Sequence, residues 1–328
     1  MRGPRFKRRS ALGMGLAGLA GLTLPVRSFA GPNLSGVTLR AASFKGEDET
    51  FLPLAGLSNT SYKVEYHEFN SGQLEVEAMN AGAIDFGGWS EIPLAFAAAS
   101  HARIRTIAVL KGDVNDQVVL VPKKSTITSI ADLKGKRVGY VRATTSHYFL
   151  LRMLWQAGLS FNNIQAINLG VTDGAAAFRS GDLDAWAIYG YAINFALGDG
   201  SARVLRTAKG ILSGNYFVGV APAVLHNPPL RAAAADYLVR IAKGWNWVEN
   251  NKQQWSQDLA PVIHVPLPYV EAEFFHESHP YQIVPIDDAA IASAQEVADT
   301  FVKAGLISGK VDVRPFFDSS FSSVLTGV

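Results

Sequence analysis

From residue 37 onward, short apolar runs alternate with longer amphipathic or alanine-rich stretches, and no other feature of the chain restricts its fold as much. A strand must pair with neighbours and a helix must bury one face, so this alternation leads to helices layered on sheets, an α/β architecture. Strands are expected at 37–42, 63–67, 84–87, 103–110, 117–122, 137–141, 165–169 and 184–189. Between them fall helices at 47–57, after Asn70 or Ser71 with Leu74, Ala78 and Ala81 on one face, after Ser146 with Tyr148, Leu151 and Trp155 as its apolar stripe, and around 175–179. Gly82, Gly158 and Gly181 stand where these helices should stop. Beyond about residue 215 the character shifts to long helices, 231–250 with Leu238, Ile241, Trp245 and Val248 on one side, and 289–303.

The first thirty residues follow a different rule. Arg2, Arg5, Lys7, Arg8 and Arg9 form a basic start without an acid, residues 10–26 are uncharged and rich in Leu, Ala and Gly, and Ser28, Phe29 and Ala30 make a small-x-small cleavage pattern. The stretch is too short and too glycine-rich to span a bilayer, so it reads as a signal peptide cleaved after about Ala30. Arg8 and Arg9 suit the twin-arginine route, with Ala11 where a Phe is usual. Export to the periplasm is the expected localisation. Without this segment the chain keeps 24 basic residues against 28 acidic ones, a net charge of −4. The basic balance therefore belongs to the export signal, no basic stripe follows it, and nucleic acid is not an expected partner. Cysteine is absent, which removes disulfides, thiolate metal ligands and a cysteine nucleophile together.

Three segments carry a family likeness: FNSGQLEVEAMNAGAIDFG at 69–87, ADLKGKRVGYV at 131–141 and AAFRSGDLDAWAIY at 176–189. In order and spacing they resemble landmarks of the sulfonate-type periplasmic binding proteins, the group that includes aliphatic sulfonate, taurine and nitrate receptors. The likeness runs from about residue 37 to the end, more loosely after 225, where 298–307 (ADTFVKAGLI) is the familiar part. It implies a two-lobed fold of the second periplasmic-binding class, each lobe a mixed sheet flanked by helices. One lobe would comprise 31–116 and 220–328 and the other 117–219, joined by two hinge crossovers. It also implies a monomeric, non-enzymatic receptor without cofactor or metal, which closes over a small organic anion and then engages the permease and ATPase subunits of an ABC importer in the inner membrane.

Several loops could hold such a ligand. Arg142 to His147 follows a strand and opens a helix, so free amides and the positive end of the helix dipole converge there. Thr144, Thr145 and Ser146 add hydroxyl donors and Arg142 a charged fork, although one hydroxyl could equally serve as a helix cap. The loop Gly88, Trp89, Ser90, Glu91 lies at the carboxyl end of a strand, where open α/β sheets take ligands. There Trp89 would stack on an apolar body, Ser90 would donate to an anionic head and Glu91 would accept from an amine or hydroxyl. The competing reading is a core tryptophan and a first-turn acid. Ser43 and Phe44 close the first strand, at a place where the family often has a contact. Tyr189, Gly190 and Tyr191 depart from the Trp, Asp, Pro of relatives; the lost acid and gained aromatic suit a bulkier ligand.

Other chemistries fit less well. His276, Glu277, Ser278 and His279 lack the HExxH spacing of a zinc site, and Pro280 interrupts the helix that would align the imidazoles. The same fold resembles an aromatic sulfinate desulfinase and pyrimidine-precursor synthases, but the cysteines those enzymes need are missing here. A periplasmic sensor that presents its ligand state to a membrane receptor is an alternative role. Alkyl and aromatic sulfonates, taurine, nitrate and carboxylates all stay open as ligands.

Overall fold

The computed structural model describes residues 33–328, so the signal peptide, its arginine pair and the cleavage point after Ala30 lie outside the described residues. The strands are β1 (Thr38–Phe44), β2 (Lys63–Phe69), β3 (Phe86–Ser90), β4 (Arg105–Lys111), β5 (Gln117–Pro122), β6 (Arg137–Tyr140), β7 (Gln165–Asn168), β8 (Ala185–Tyr189), β9 (Ala202–Thr207), β10 (Asn215–Val220) and β11 (Gln282–Val284). The helices are α1 (Asp48–Leu54), α2 (Gly72–Asn80), α3 (Glu91–Ala99), α4 (Thr145–Gln156), α5 (Val171–Ser180), α6 (Ala192–Gly198), α7 (Pro222–His226), α8 (Pro228–Asn250), α9 (Lys252–Ile263), α10 (Leu267–Phe275) and α11 (Asp288–Lys303). No described helix is long and apolar enough to cross a membrane.

The strands form two mixed sheets, one ordered β11-β4-β10-β3-β1-β2 and the other β7-β6-β8-β5-β9. Each sheet defines one lobe, the expected two-lobed α/β fold. In the first sheet β1 runs parallel to β2 and β3, and β10 enters antiparallel between β3 and β4. In the second, β6 runs parallel to β7 and β8, and β5 enters antiparallel between β8 and β9. The antiparallel strand inserted within each sheet is thus the first strand after a crossover from the other, through 112–116 into β5 and through 208–214 into β10, and β11 adds a second antiparallel strand at the edge of the first sheet. The two crossovers touch where the Gly112 amide donates to the Gly214 carbonyl at 3.0 Å.

A clasp recurs in both parallel triplets. Arg40 on β1 and Arg137 on β6 each donate amide and Nε to the Oδ2 of an aspartate just before the third strand, Asp85 or Asp184, and Nη2 to its Oδ1. Each guanidinium also reaches a helix-terminating glycine, the carbonyl of Gly82 at 2.7 Å or of Gly181 at 2.8 Å. Both glycines have positive φ, +76° and +83°, the left-handed conformation that glycine adopts without a Cβ penalty.

Packing confirms some helix faces and corrects one. In α8 the expected Leu238, Ile241, Trp245 and Val248 are buried. Asn227 caps that helix from Oδ1 to the Leu230 amide, and Pro228 takes the first turn, where its missing N–H costs nothing. In α2, capped by Ser71, the buried residues are Glu75, Val76 and Met79, while Leu74 is 43% exposed. The face is rotated because Glu75 turns inward, its Oε2 accepting the Gly88 amide at 2.8 Å. That backbone donor outweighs the side-chain hydropathy on which the expectation rested.

Candidate functional site

The start of α4 stands at the carboxyl end of β6, which lies between β7 and β8 in its sheet. Thr144 takes the cap position in extended conformation, yet no side chain caps the helix, so the first amides keep their donors, as helix starts do. The hydroxyls point elsewhere. Thr144 Oγ1 donates to the Val141 carbonyl at 2.7 Å and meets Ser146 Oγ at 3.0 Å, Ser146 Oγ accepts the Val141 amide at 3.0 Å, and Thr145 Oγ1 donates to Gln117 Oε1 at 2.6 Å. The expectation of three hydroxyl donors facing a ligand is therefore corrected: these protons go to buried protein acceptors that would otherwise be unsatisfied, and the backbone amides are the free donors. Ala143, just before the cap, is left-handed with φ +58°, and its amide donates to His147 Nδ1 at 3.2 Å.

Arg142 is exposed, its amide tied to Asn168 Oδ1 at 2.9 Å and its charge felt by Tyr140 and His147. His147 is buried between the lobes, against Tyr140 and Phe161 of the second and Phe96 and Phe301 of the first, with ring centroids 5.0 to 6.1 Å apart. Burial first and the Arg142 charge second lower its pKa to about 4, so at neutral pH it is an uncharged spacer that accepts the Ala143 amide. Further along α4, Arg152 donates to Glu296 Oε1 of α11 at 3.1 Å, a second contact between the lobes.

Tyr189 ends β8 beside Thr144. Its hydroxyl is buried, and burial raises its pKa above the usual tyrosine value, an effect that the neighbouring Thr144 side chain partly offsets. Tyr191, two residues on, packs on the core of the first lobe; burial, followed by the charges of Glu273, Glu47 and Asp116, raises its pKa well above the usual range. Those three carboxyls come from the start of α1, the first crossover and α10. Glu47 is raised to about 8 by burial and then Asp48, and Asp116 to about 7 by burial and then Asp113. Glu273 is pushed well up by burial, with Asp116, Asp113, Glu47 and Glu277 adding to it. Tyr216 and Tyr281 feel the same carboxyls. Gln117 joins the two groups of residues, since its Nε2 donates to Asp116 Oδ1 at 3.1 Å while its Oε1 accepts from Thr145.

The loop after β3 departs from expectation. Trp89 is 2% exposed within the core of the first lobe, and a Cβ on Gly219 would stand 2.1 Å from its ring. Glycine at 219 lets the indole cross the sheet there, so Trp89 is a packing residue and offers no stacking face. Glu91 is 3% exposed and spends both oxygens on the second crossover, Oε2 accepting from Ser213 Oγ at 2.6 Å and Oε1 from Asn215 Nδ2 at 2.9 Å. It anchors the second crossover. Ser90 holds the cap position of α3 without a side-chain cap bond, and Gly88 donates to Glu75 as described. Ser43 is buried and donates to the Phe44 carbonyl at 3.0 Å; Phe44 is partly exposed and paired with Phe69 on β2.

Sequence reasoning missed Asp116, Gln117, Glu273, Tyr216 and Tyr281. They sit at a crossover, on α10 and on strand ends, and no local motif marks them; the sheet order assembles them. It also missed the role of the histidine-containing segment 276–279. Asp113 Oδ1 accepts both the Ser278 amide and hydroxyl at 2.6 Å, and Asn115 donates to the His276 carbonyl at 2.7 Å. The segment clamps the first crossover.

With this geometry in place, the comparisons with known proteins are direct. The family model described as "NMT1/THI5 like" matches residues 60–208. The chain is 33% identical over 253 residues to the "Putative aliphatic sulfonates-binding protein" of Escherichia coli (strain K12), covering 77% of this chain and 78% of that protein. It is 31% identical over 153 residues to the taurine-binding periplasmic protein of the same organism, 47% of this chain and 46% of that one. The alkanesulfonate-binding protein of Xanthomonas axonopodis pv. citri, solved bound to MOPS, superposes with a TM-score of 0.79 at 28% identity, over 88% of this chain and 99% of that one. The chain belongs to the aliphatic sulfonates-binding protein family.

Proposed function

We propose that this chain is the periplasmic substrate-binding component of an ABC importer for a small organic anion, a sulfonate, and that it does no catalysis. The observation that carries this reading is the uncapped start of α4, with Arg142 just before it and the buried Tyr189 hydroxyl at the end of the neighbouring strand β8. A sulfonate offers three acceptor oxygens to such donors, and a helix start favours negative charge. Gln117 and Tyr191 complete the wall. Residues 31–116 and 220–328 form one lobe and 117–219 the other, with 112–116 and 208–214 as hinges; the ligand draws the lobes together by its better affinity for the closed form. Closure then presents the permease and its ATPase partner with a changed surface.

A thermal-shift panel of alkanesulfonates, sulfate and nitrate tests the ligand class. At a hundredfold excess over Kd a sulfonate should stabilise the protein by about 2.7 kcal/mol, a shift of several degrees; stabilisation by nitrate or sulfate alone would defeat the reading. Arg142→Ala should weaken sulfonate binding roughly tenfold to a hundredfold by calorimetry, the range for losing a charge-assisted contact. Unchanged affinity would remove Arg142 from the site.

A further inference from the structure

Among the described residues, the non-glycine residues with positive φ are His101, Ala143 and His264. His264 is the C-cap of α9 and His101 follows the C-cap of α3, places where helices commonly end left-handed. Ala143, at φ +58°, comes before a helix instead, and such a conformation persists only where the surroundings hold it. The hold is made by side chains. The Val141 amide donates to Ser146 Oγ at 3.0 Å, the Arg142 amide to Asn168 Oδ1 at 2.9 Å and the Ala143 amide to His147 Nδ1 at 3.2 Å. Three consecutive amides ahead of α4 are thus taken, and the first amides of the helix itself stay free.

Histidine at 147 is not explained by packing. The residue is 2% exposed, and its ring lies against Tyr140 and Phe161 of the second lobe and Phe96 and Phe301 of the first. Since Nδ1 accepts, the proton of the neutral ring is on Nε2, and Nε2 is buried without a hydrogen-bond partner. A phenylalanine would fill the same place without burying an unsatisfied N–H, which is costly. It could not accept the Ala143 amide.

We propose that His147 is the positioning residue of the anion site: it holds Ala143 left-handed, and so sets the direction of the first amides of α4, while aromatic rings from both lobes keep its own ring in place. This inference rests on the sulfonate reading above and deepens it. Because Phe96 and Phe301 belong to the first lobe, the shape of a turn in the second depends on the contact between the lobes, and binding of an anion at that turn is coupled to that contact.

Calorimetry with ethanesulfonate at pH 7.5, where His147 is uncharged, tests the assignment. His147→Phe keeps an aromatic ring among the other four but removes the acceptor, and should weaken binding at least about tenfold with the unfolding midpoint little changed. His147→Asn underfills the ring site and should lower the midpoint, yet its carbonyl oxygen can take the Ala143 amide, so it should bind at least about fivefold more tightly than His147→Phe. Affinity and stability then move in opposite directions, which a residue that only packs would not produce. Wild-type affinity in His147→Phe, or affinity that follows the midpoint across both variants, overturns the positioning role and leaves the sulfonate reading standing. If the wild type binds no sulfonate, both fall. His147→Leu, also without an acceptor, serves in the same comparison if His147→Phe folds poorly.

Discussion

The two lobes are built on one plan and carry opposite chemistry. Each has a parallel triplet of strands, an antiparallel strand arriving from a crossover, and an Arg–Asp clasp that ties the first strand to the helix-to-strand turn before the third. The segment after the first strand differs. In the first lobe it runs Ser43 to Glu49 and brings three consecutive acids to the start of α1; in the second it runs Arg142 to Ser146 and brings a cation and free amides to the start of α4. A repeated scaffold therefore sets where these loops are, and the loops alone set what charge they present.

The clasps break this likeness first, because their burial differs. The Asp85 side chain is 4% exposed and that of Asp184 31%, with the two arginines exposed to similar extents. Asp85→Ala leaves the Arg40 guanidinium and the Arg40 amide without their carboxylate acceptor and should cost about 3 kcal/mol in urea denaturation. Asp184→Ala, partly hydrated, should cost about 1 kcal/mol or less. Equal losses would mean that hydration is not what separates the two turns.

A smaller effect, of roughly 1 to 3 kcal/mol, is expected from pH. Asp48, Asp116 and Glu47 have folded pKa values of about 6, 7 and 8, burial being the largest cause in each. All lie above the ordinary carboxyl range near 4. Their contribution to stability is therefore complete below about pH 4 and is lost as pH rises through about 6 to 8. The second lobe behaves oppositely, because Arg137 lowers the pKa of Asp184 and that contribution is lost only as pH falls below about 4. Between pH 5.5 and 8.5 the unfolding midpoint of the ligand-free protein should drop. Hydrogen exchange should quicken around α1, the first crossover and α10, with β6 and α4 little changed; loosening of both lobes together would contradict the localisation of these acids.

The smallest expected effect probes the start of α4. Thr145→Val keeps the shape of the side chain but removes the donor to Gln117 Oε1, and should cost about 1 kcal/mol. It should weaken sulfonate binding more than twofold, since Gln117 holds Thr145 at the start of α4. A stability loss without any change in affinity would make that hydrogen bond structural only.

Much of this was legible in the chain. The strand and helix order, the glycine stops and the buried face of α8 follow from periodicity and backbone preference, which are local properties. The start of α4 was legible for the same reason, since a strand, a cluster of Thr and Ser and a helix are adjacent in sequence. The loop after β3 misled because hydropathy cannot tell a tryptophan that faces a ligand from one that lies across a glycine on a neighbouring strand. Gly219, which decides the matter for Trp89, is 130 residues away.

By itself, the sequence determined the α/β layering, the family and the position of the helix start after β6, because each depends on residues that are neighbours along the chain. The tertiary structure decided which donors there are free, that Glu91 serves the second crossover, and that Glu273 feels the charges of Asp116 and Glu47. Those outcomes depend on which strands pair and which crossovers close, and contacts of that kind are set by packing between segments far apart in sequence.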